Sequence, residues 1–221
     1  HQFYTILARM KTRTQAQDRW LLFFNQVVYN TYPALYNLVD RLSLGVWWRL
    51  IRRALDFISP DDRILEVGFG PGRLLVELIR KSELCVGLDL AWGMCRFTQR
   101  RLHRAGLTSQ LVQGSVYNLP YPGGAFDIVV STFTISGLPD GRRVLQEMAR
   151  VTASGGSILL IDIGLPADGN WWGVWLAHLW ERMGDCLYDL PEVMELAGLI
   201  VTVFEEYGPG NHIHLIAGVK P

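Results

Sequence analysis

From residue 63 onward, short apolar runs alternate with stretches in which apolar positions recur every three or four residues. The runs fall at 63–67, 84–89, 109–113, 126–131 and 157–163, and the helical stretches near 72–81, 91–105 and 140–151. Strand and helix in alternation predict a parallel sheet with crossover helices. The run Ile158-Leu159-Leu160-Ile161 has no polar face, as a strand covered by helices on both sides requires.

The C-terminal end breaks this rhythm. Two more strand-like runs, 199–207 and 213–219, are joined only by Gly208-Pro209-Gly210-Asn211. So short a connection closes an antiparallel hairpin and leaves no room for a helix. The expected fold is therefore α/β, Rossmann-like and doubly wound, with a mostly parallel seven-stranded sheet and a reversed C-terminal strand. Residues 1–58 read as an N-terminal helical cap with turns near Tyr32-Pro33 and Gly45, and 59–221 as the Rossmann-like domain. Within that domain, 165–187 is a Trp- and Gly-rich insertion ahead of the last helix.

The candidate chemistry lies in Ile64-Leu65-Glu66-Val67-Gly68-Phe69-Gly70-Pro71-Gly72, where a strand ends in three glycines and feeds a helix. Glycines let a ligand approach the main chain, and the free N–H groups of a helix start favour negative charge. A dinucleotide site wants G-x-G-x-x-G, with room for a pyrophosphate. Here the third glycine comes one position early, followed by Arg73, and Glu66 stands two residues before the first. A bend this tight suits a ligand without a pyrophosphate. The second strand ends Val86-Gly87-Leu88-Asp89. An acid there, about twenty residues past the glycines, is placed to accept hydrogen bonds from ribose hydroxyls.

Composition narrows the partners. The 221 residues are 49% apolar and 19% charged with a formal net charge of zero, which suits one buried α/β core. A nucleic-acid binder usually shows an excess of Lys and Arg, so no nucleic-acid partner is expected. The neutrality is uneven, because residues 1–53 hold eight basic side chains against two acids, a local +6. Such a segment, with its tryptophans, fits peripheral contact with anionic lipid headgroups; solvated helix faces give the same count. Cys85, Cys95 and Cys186 are odd in number and lack C-x-x-C spacing, which reads as reduced thiols of a cytoplasmic protein. No run reaches the roughly 18 apolar residues of a membrane span, and no signal peptide is visible.

Taken together, the glycine bend, its two acids and the strand order resemble a class I S-adenosylmethionine-dependent methyltransferase over residues 60–163, and more loosely over the whole chain. The resemblance implies S-adenosylmethionine as cofactor. It implies that Glu66, Gly68, Phe69, Gly70 and Gly72 wrap the methionine part, and that Asp89 and the adjacent Leu90 hold the ribose. The run Gln113-Gly114-Ser115-Val116-Tyr117-Asn118-Leu119-Pro120 resembles the segment contacting adenine, which assigns Gly114, Ser115 and Val116. Many relatives have Gly-Asp-Ala there, and Ser115 stands in for the acid with a shorter reach. The end of the fourth strand, Ser131, would face the transferred methyl group.

Methyl transfer from a sulfonium needs alignment and exclusion of water more than a fixed set of catalytic groups, so no catalytic residue is assigned. Trp20, Trp47 and Trp48 lie in the leading segment, and Trp171, Trp172, Trp175 and Trp180 in the insertion, the two places where this fold builds its substrate cover. Rings so placed fit a large apolar or lipid-like acceptor, and equally a packing role for the cap. The stretch from Ala34 to Gly45, followed by Trp47-Trp48-Arg49, resembles the lead-in of menaquinone/ubiquinone C-methyltransferases. On that likeness Tyr36 and Tyr32 are candidate lid residues, beside Trp171 and Trp172.

His212 and His214 lie two apart on a strand and would share a partly exposed sheet face. Two ligands without a third make no metal site, so no metal is expected. His103 and His178 read as helix-surface residues. The expected function is transfer of a methyl group to a small, apolar acceptor, at a quinone-precursor carbon or a phospholipid nitrogen. The alternatives are a nicotinamide-dependent oxidoreductase, which the short glycine spacing disfavours, and an S-adenosylmethionine-binding module without turnover.

Overall fold

The computed structural model describes residues 46–221. Tyr32 and Tyr36, with most of the expected helical cap, lie outside the described residues. The chain enters through helix α1 (Val46–Ile51), which passes into a 3-10 helix over Arg52–Phe57. Seven strands follow: β1 (Ile64–Val67), β2 (Cys85–Asp89), β3 (Gln110–Gln113), β4 (Phe126–Thr132), β5 (Thr152–Ile163), β6 (Ile200–Tyr207) and β7 (Ile213–Val219). Between them lie α2 (Arg73–Lys81), α3 (Trp92–Arg104), α4 (Gly141–Val151), α5 (Trp171–Met183) and α6 (Leu190–Leu196).

The strands form one sheet in the order β3-β2-β1-β4-β5-β7-β6. Neighbours from β3 to β5 run parallel, and β7 runs antiparallel to both β5 and β6. The order reverses between β1 and β4, the point where open α/β sheets leave a crevice at the strand C-termini. Both faces are covered. On one, α2 and α3 bury Leu75, Leu78, Met94 and Leu102 against Ile64, Ile128 and Leu159. On the other, α4 and α6 bury Leu145, Met148 and Met194 against Leu65, Val129 and Ile158. The runs in β1, β4 and the second half of β5 thus become central, covered strands, while β3 and β6 form the partly exposed edges.

Two elements depart from the sequence expectation. Strand β5 begins at Thr152 instead of 157, because α4 hands the chain straight to a pairing of Thr152 with Phe126, followed by a register shift between Phe126 and Ile128. His212 and His214, expected on a partly exposed face, are 2% and 4% exposed. Phe204 packs edge-on to the His214 ring at 4.9 Å, and the adjoining hairpin loop lies under the start of α5, where Asn170 Nδ2 donates to the Gly210 carbonyl at 3.1 Å. Burial lowers the pKa of both imidazoles, partly opposed at His214 by Glu206, whose carboxylate stands 3.3 Å from Nε2. His103 and His178 are exposed, as expected of helix-surface residues.

The described part of the leading segment packs on the domain. Leu50, Ala54 and Ile58 join the same core as α2, and the Arg73 guanidinium lies over the Trp48 ring at 4.0 Å. Trp47 meets Phe133, just past β4, at 5.0 Å and Trp180 of α5 at 5.9 Å. That three-ring chain ties the leading segment and the insertion together over the C-terminal end of the sheet. Among the described residues no helix is long and apolar enough to cross a membrane, and all three cysteines are free.

Candidate active site

The bend between β1 and α2 sits at the reversal in strand order. Gly68, Gly70 and Gly72 have φ of 71°, 50° and 66°, in the left-handed region that side chains resist. The three glycines have different neighbours. A Cβ on Gly68 would fall 2.3 Å from Thr134 Oγ1, and one on Gly72 would fall 2.2 Å from Thr98 Cγ2. At Gly70 nothing stands within 4 Å. Two glycines are therefore required by the protein's own packing, while the middle one faces open space.

The bend is held from outside. Thr98 Oγ1 donates to the Gly70 carbonyl at 2.9 Å, Gly68 N–H to the Leu88 carbonyl at 2.7 Å, and Gly72 N–H to the Phe69 carbonyl at 2.9 Å. Asp89 closes the frame: its Oδ2 accepts Gly70 N–H and its Oδ1 accepts Ala91 N–H, both at 2.8 Å. Burial raises the Asp89 pKa, opposed by the N–H groups of Ala91, Gly70 and Leu90. A carboxylate offers about four acceptor positions, so places remain for a ligand's hydroxyls.

Glu66, in the middle of β1, is 1% exposed, and its Oε2 has no hydrogen-bond partner among the described residues. Burial, and then the charge of Asp89, push its pKa well above the ordinary carboxylate range. A buried carboxyl oxygen without a partner costs stability unless something fills the place.

The other anticipated residues take several roles. Phe69 contributes its ring to the core at 3% exposure, leaving its backbone to the bend. Gly114 N–H donates to the Asp89 carbonyl at 3.0 Å, which places the Gly114–Val116 turn beside the bend's acid. Ser115 Oγ accepts Tyr117 N–H at 3.3 Å, and the Val116 side chain is buried in the core. Leu90 is 56% exposed next to the site. Ser131 lies buried and donates to the Val67 carbonyl at 3.1 Å, a strut between β4 and β1. On α5, Trp171 and Trp172 are exposed, and Trp172 stacks on Trp175 at 5.1 Å.

Sequence reasoning missed three residues. Thr98 and Thr134 buttress the glycines, and Asp162, at the end of β5, anchors the segment after β4. Asp162 Oδ2 accepts Ile135 N–H at 2.8 Å and Ser136 N–H at 3.1 Å, while Oδ1 accepts Ile163 N–H at 2.9 Å. Thr98 had a signal in its sequence, since it falls on the buried row Met94, Cys95, Thr98, Leu102 of α3. Thr134 and Asp162 had none, because the partners that matter, Gly68 for the first and Ile135 and Ser136 for the second, are distant in sequence. Among the described residues no group of three or more His, Cys, Asp or Glu is placed to hold a metal ion.

Comparison with known proteins agrees with this geometry. Residues 65–160 match the model of the methyltransferase domain. Demethylmenaquinone methyltransferase of Mycolicibacterium gilvum is 32% identical over 64% of this chain and 60% of its own length. Ajmaline N-methyltransferase of Rauvolfia serpentina is 34% identical over 52% of this chain and 43% of its own. The chain thus spans less than two thirds of the length of these relatives. Among solved structures, the [4+2]-cyclase SpnF has the same fold, with a TM-score of 0.70 at 17% identity over 89% of this chain and 96% of that one.

Bend, switch point and reversed β7 define the class I methyltransferase fold. Over residues 65–160 the chain is similar to the S-adenosylmethionine-dependent methyltransferases, and its relatives there include the menaquinone group. The site fits that donor. Gly70 leaves room against the main chain, the partnerless Glu66 oxygen matches an ammonium, and the spare lone pairs of Asp89 match ribose hydroxyls.

Proposed function

We propose that this protein transfers the methyl group of S-adenosylmethionine to a small apolar acceptor, with a quinone-precursor carbon ahead of a phospholipid nitrogen. The observation that carries the proposal is the open face of Gly70 beside a ribose-competent carboxylate, with a buried carboxyl that has one partnerless oxygen on the preceding strand. The relatives' names favour the quinone. When bound, the donor supplies an electrophilic methyl group on a sulfonium. The chain's own part is to hold and to dry. Glu66 accepts from the ammonium, Asp89 from the ribose, and the Gly114–Val116 turn flanks the adenine. Thr98, Thr134 and Asp162 fix the walls, so little rearrangement is left for the moment of reaction.

In this reading Trp171 and Trp172 belong to the acceptor's cover, together with Tyr32 and Tyr36 of the leading segment. Residues 1–58 act as a cap on the domain formed by 59–221, and the segment's basic side chains contact the membrane that holds the acceptor. The test has two stages. Thermal unfolding with S-adenosylhomocysteine should raise the melting temperature and NAD should not, since only a ligand selective for the folded form stabilises it. Incubation with methyl-labelled donor and either a demethylated quinone or phosphatidylethanolamine, read by mass spectrometry, should label the quinone. Stabilisation by NAD alone would return the nicotinamide alternative, and donor binding with neither acceptor labelled would favour a module without turnover.

A further inference from the structure

Helix α3 follows Asp89 directly and carries a charge pattern the donor site does not use. Its thirteen residues include Arg96, Arg100, Arg101, His103 and Arg104, and no acid. Arg96, Arg100 and Arg104 are spaced four apart, so they form one row with about 6 Å of rise between neighbours. All three are exposed, and none makes an ion pair or hydrogen bond with another described residue. The neighbouring helix offers no counter-charge: Glu77 of α2 is already paired with Arg80 at 3.0 Å. With Gln99 and His103, the row lines an open concavity of about 400 Å³. Arg101 stands apart, half-buried with its guanidinium over Phe97.

Trp92 continues the same row one turn earlier and is 57% exposed, and Leu90 beside it is 56% exposed. The face thus grades from an apolar end at the mouth of the donor site to a cationic end away from it. We propose that the face Leu90, Trp92, Arg96, Arg100 and Arg104 docks this protein on an anionic phospholipid surface. A bilayer interface meets both ends of the gradient, with phosphates for the guanidinium groups and a headgroup boundary for indole and leucine. Single-stranded nucleic acid would satisfy the arginines. It offers no hydrocarbon for Leu90, and the chain as a whole has no positive excess to attract it. The inference rests on the proposed apolar acceptor only for its purpose, which is to bring the mouth of the site to the membrane.

The experiment is co-sedimentation of the full chain with vesicles of phosphatidylcholine, with and without phosphatidylglycerol, at low and high salt. Wild type should bind the anionic vesicles, lose them at high salt, and ignore the neutral ones. Each arginine near the surface is expected to contribute about five-fold, so the triple variant R96A/R100A/R104A should lose on the order of a hundred-fold in partitioning. Trp92→Ser should lose binding while keeping the salt dependence. The triple variant should bind S-adenosylhomocysteine as wild type does, because its changes lie outside the donor site. Wild-type partitioning by the triple variant, equal binding to neutral vesicles, or tighter arginine-dependent binding to a single-stranded oligonucleotide overturns the proposal. Absence of S-adenosylhomocysteine binding to wild type itself would overturn the methyltransferase reading instead, so the two failures are distinguishable.

Discussion

Asp89 and Gly70 are joined by a 2.8 Å hydrogen bond from the backbone N–H of the bend to a carboxylate nineteen residues further along the chain. The contact makes the acid part of the loop's construction before any ligand arrives. Its second oxygen serves Ala91 in the same way, so the end of β2 and the glycine bend are set by one side chain. The residue that should read the ribose also fixes the distance between the ribose and methionine ends of the site.

Substitution should therefore affect both fold and affinity. Asp89→Ala strips two N–H groups of their acceptor and removes the ribose contact. It is expected to weaken S-adenosylhomocysteine binding by about 1–3 kcal/mol and to lower thermal stability as well. Asp89→Asn separates the two effects, because the amide keeps the size and one acceptor oxygen but turns an NH2 toward a backbone donor. Titration calorimetry should show weakened binding with a smaller loss of stability than in the alanine variant. Unchanged affinity in both would remove Asp89 from the ribose.

Glu66 predicts a pH dependence of the empty protein. Its pKa is raised in the folded chain, so the folded state keeps a proton that a free glutamate gives up. Stability from this group is complete below the ordinary carboxylate pKa of about 4.3 and is lost as pH rises from there toward the folded value. Glu66→Gln is neutral throughout, so it should gain in melting temperature relative to wild type as pH rises above the ordinary carboxylate range. The same variant should bind the homologue more weakly. Binding to wild type at a pH where the buried carboxyl still holds its proton should release protons as it ionises against the ammonium, seen as a dependence of the calorimetric enthalpy on the buffer. A constant difference in melting temperature over that rise in pH would show that Glu66 is ionised in the fold.

Much of this was legible because the deciding interactions are local. A doubly covered strand must be apolar throughout, and Ile158–Ile161 announced one. A four-residue link can only close a hairpin, and β6 and β7 are antiparallel. The spacing from Gly68 to Asp89 was readable because one strand–helix–strand unit fixes it. What escaped was tertiary. Thr134 looks like any polar loop residue until β4 is laid beside β1 and its hydroxyl and methyl crowd the place a Gly68 side chain would take. Asp162 reads as a strand end, yet its three N–H partners come mostly from the segment after β4. His212 and His214 alternate like surface residues, and only the packing of Phe204 and of the loop under α5 buries them.

The contrast among the three glycines gives the last prediction. All have positive φ, so alanine at any of them should cost about 1–2 kcal/mol of backbone strain. At Gly68 that strain adds to a collision, since Thr134 lies 2.3 Å from the new methyl and is itself held against the Gly68 and Thr132 carbonyls. Gly68→Ala should be strongly destabilised or fail to fold. At Gly70 the methyl enters empty space, so Gly70→Ala should fold with a melting temperature lower by only a few degrees. It should nonetheless lose the stabilisation by S-adenosylhomocysteine, because that space is where the ligand must approach the main chain. Thermal shift measured on both variants, with and without the homologue, separates the two effects. A Gly70→Ala protein that still responds fully to the homologue would mean that the ligand does not lie against the bend.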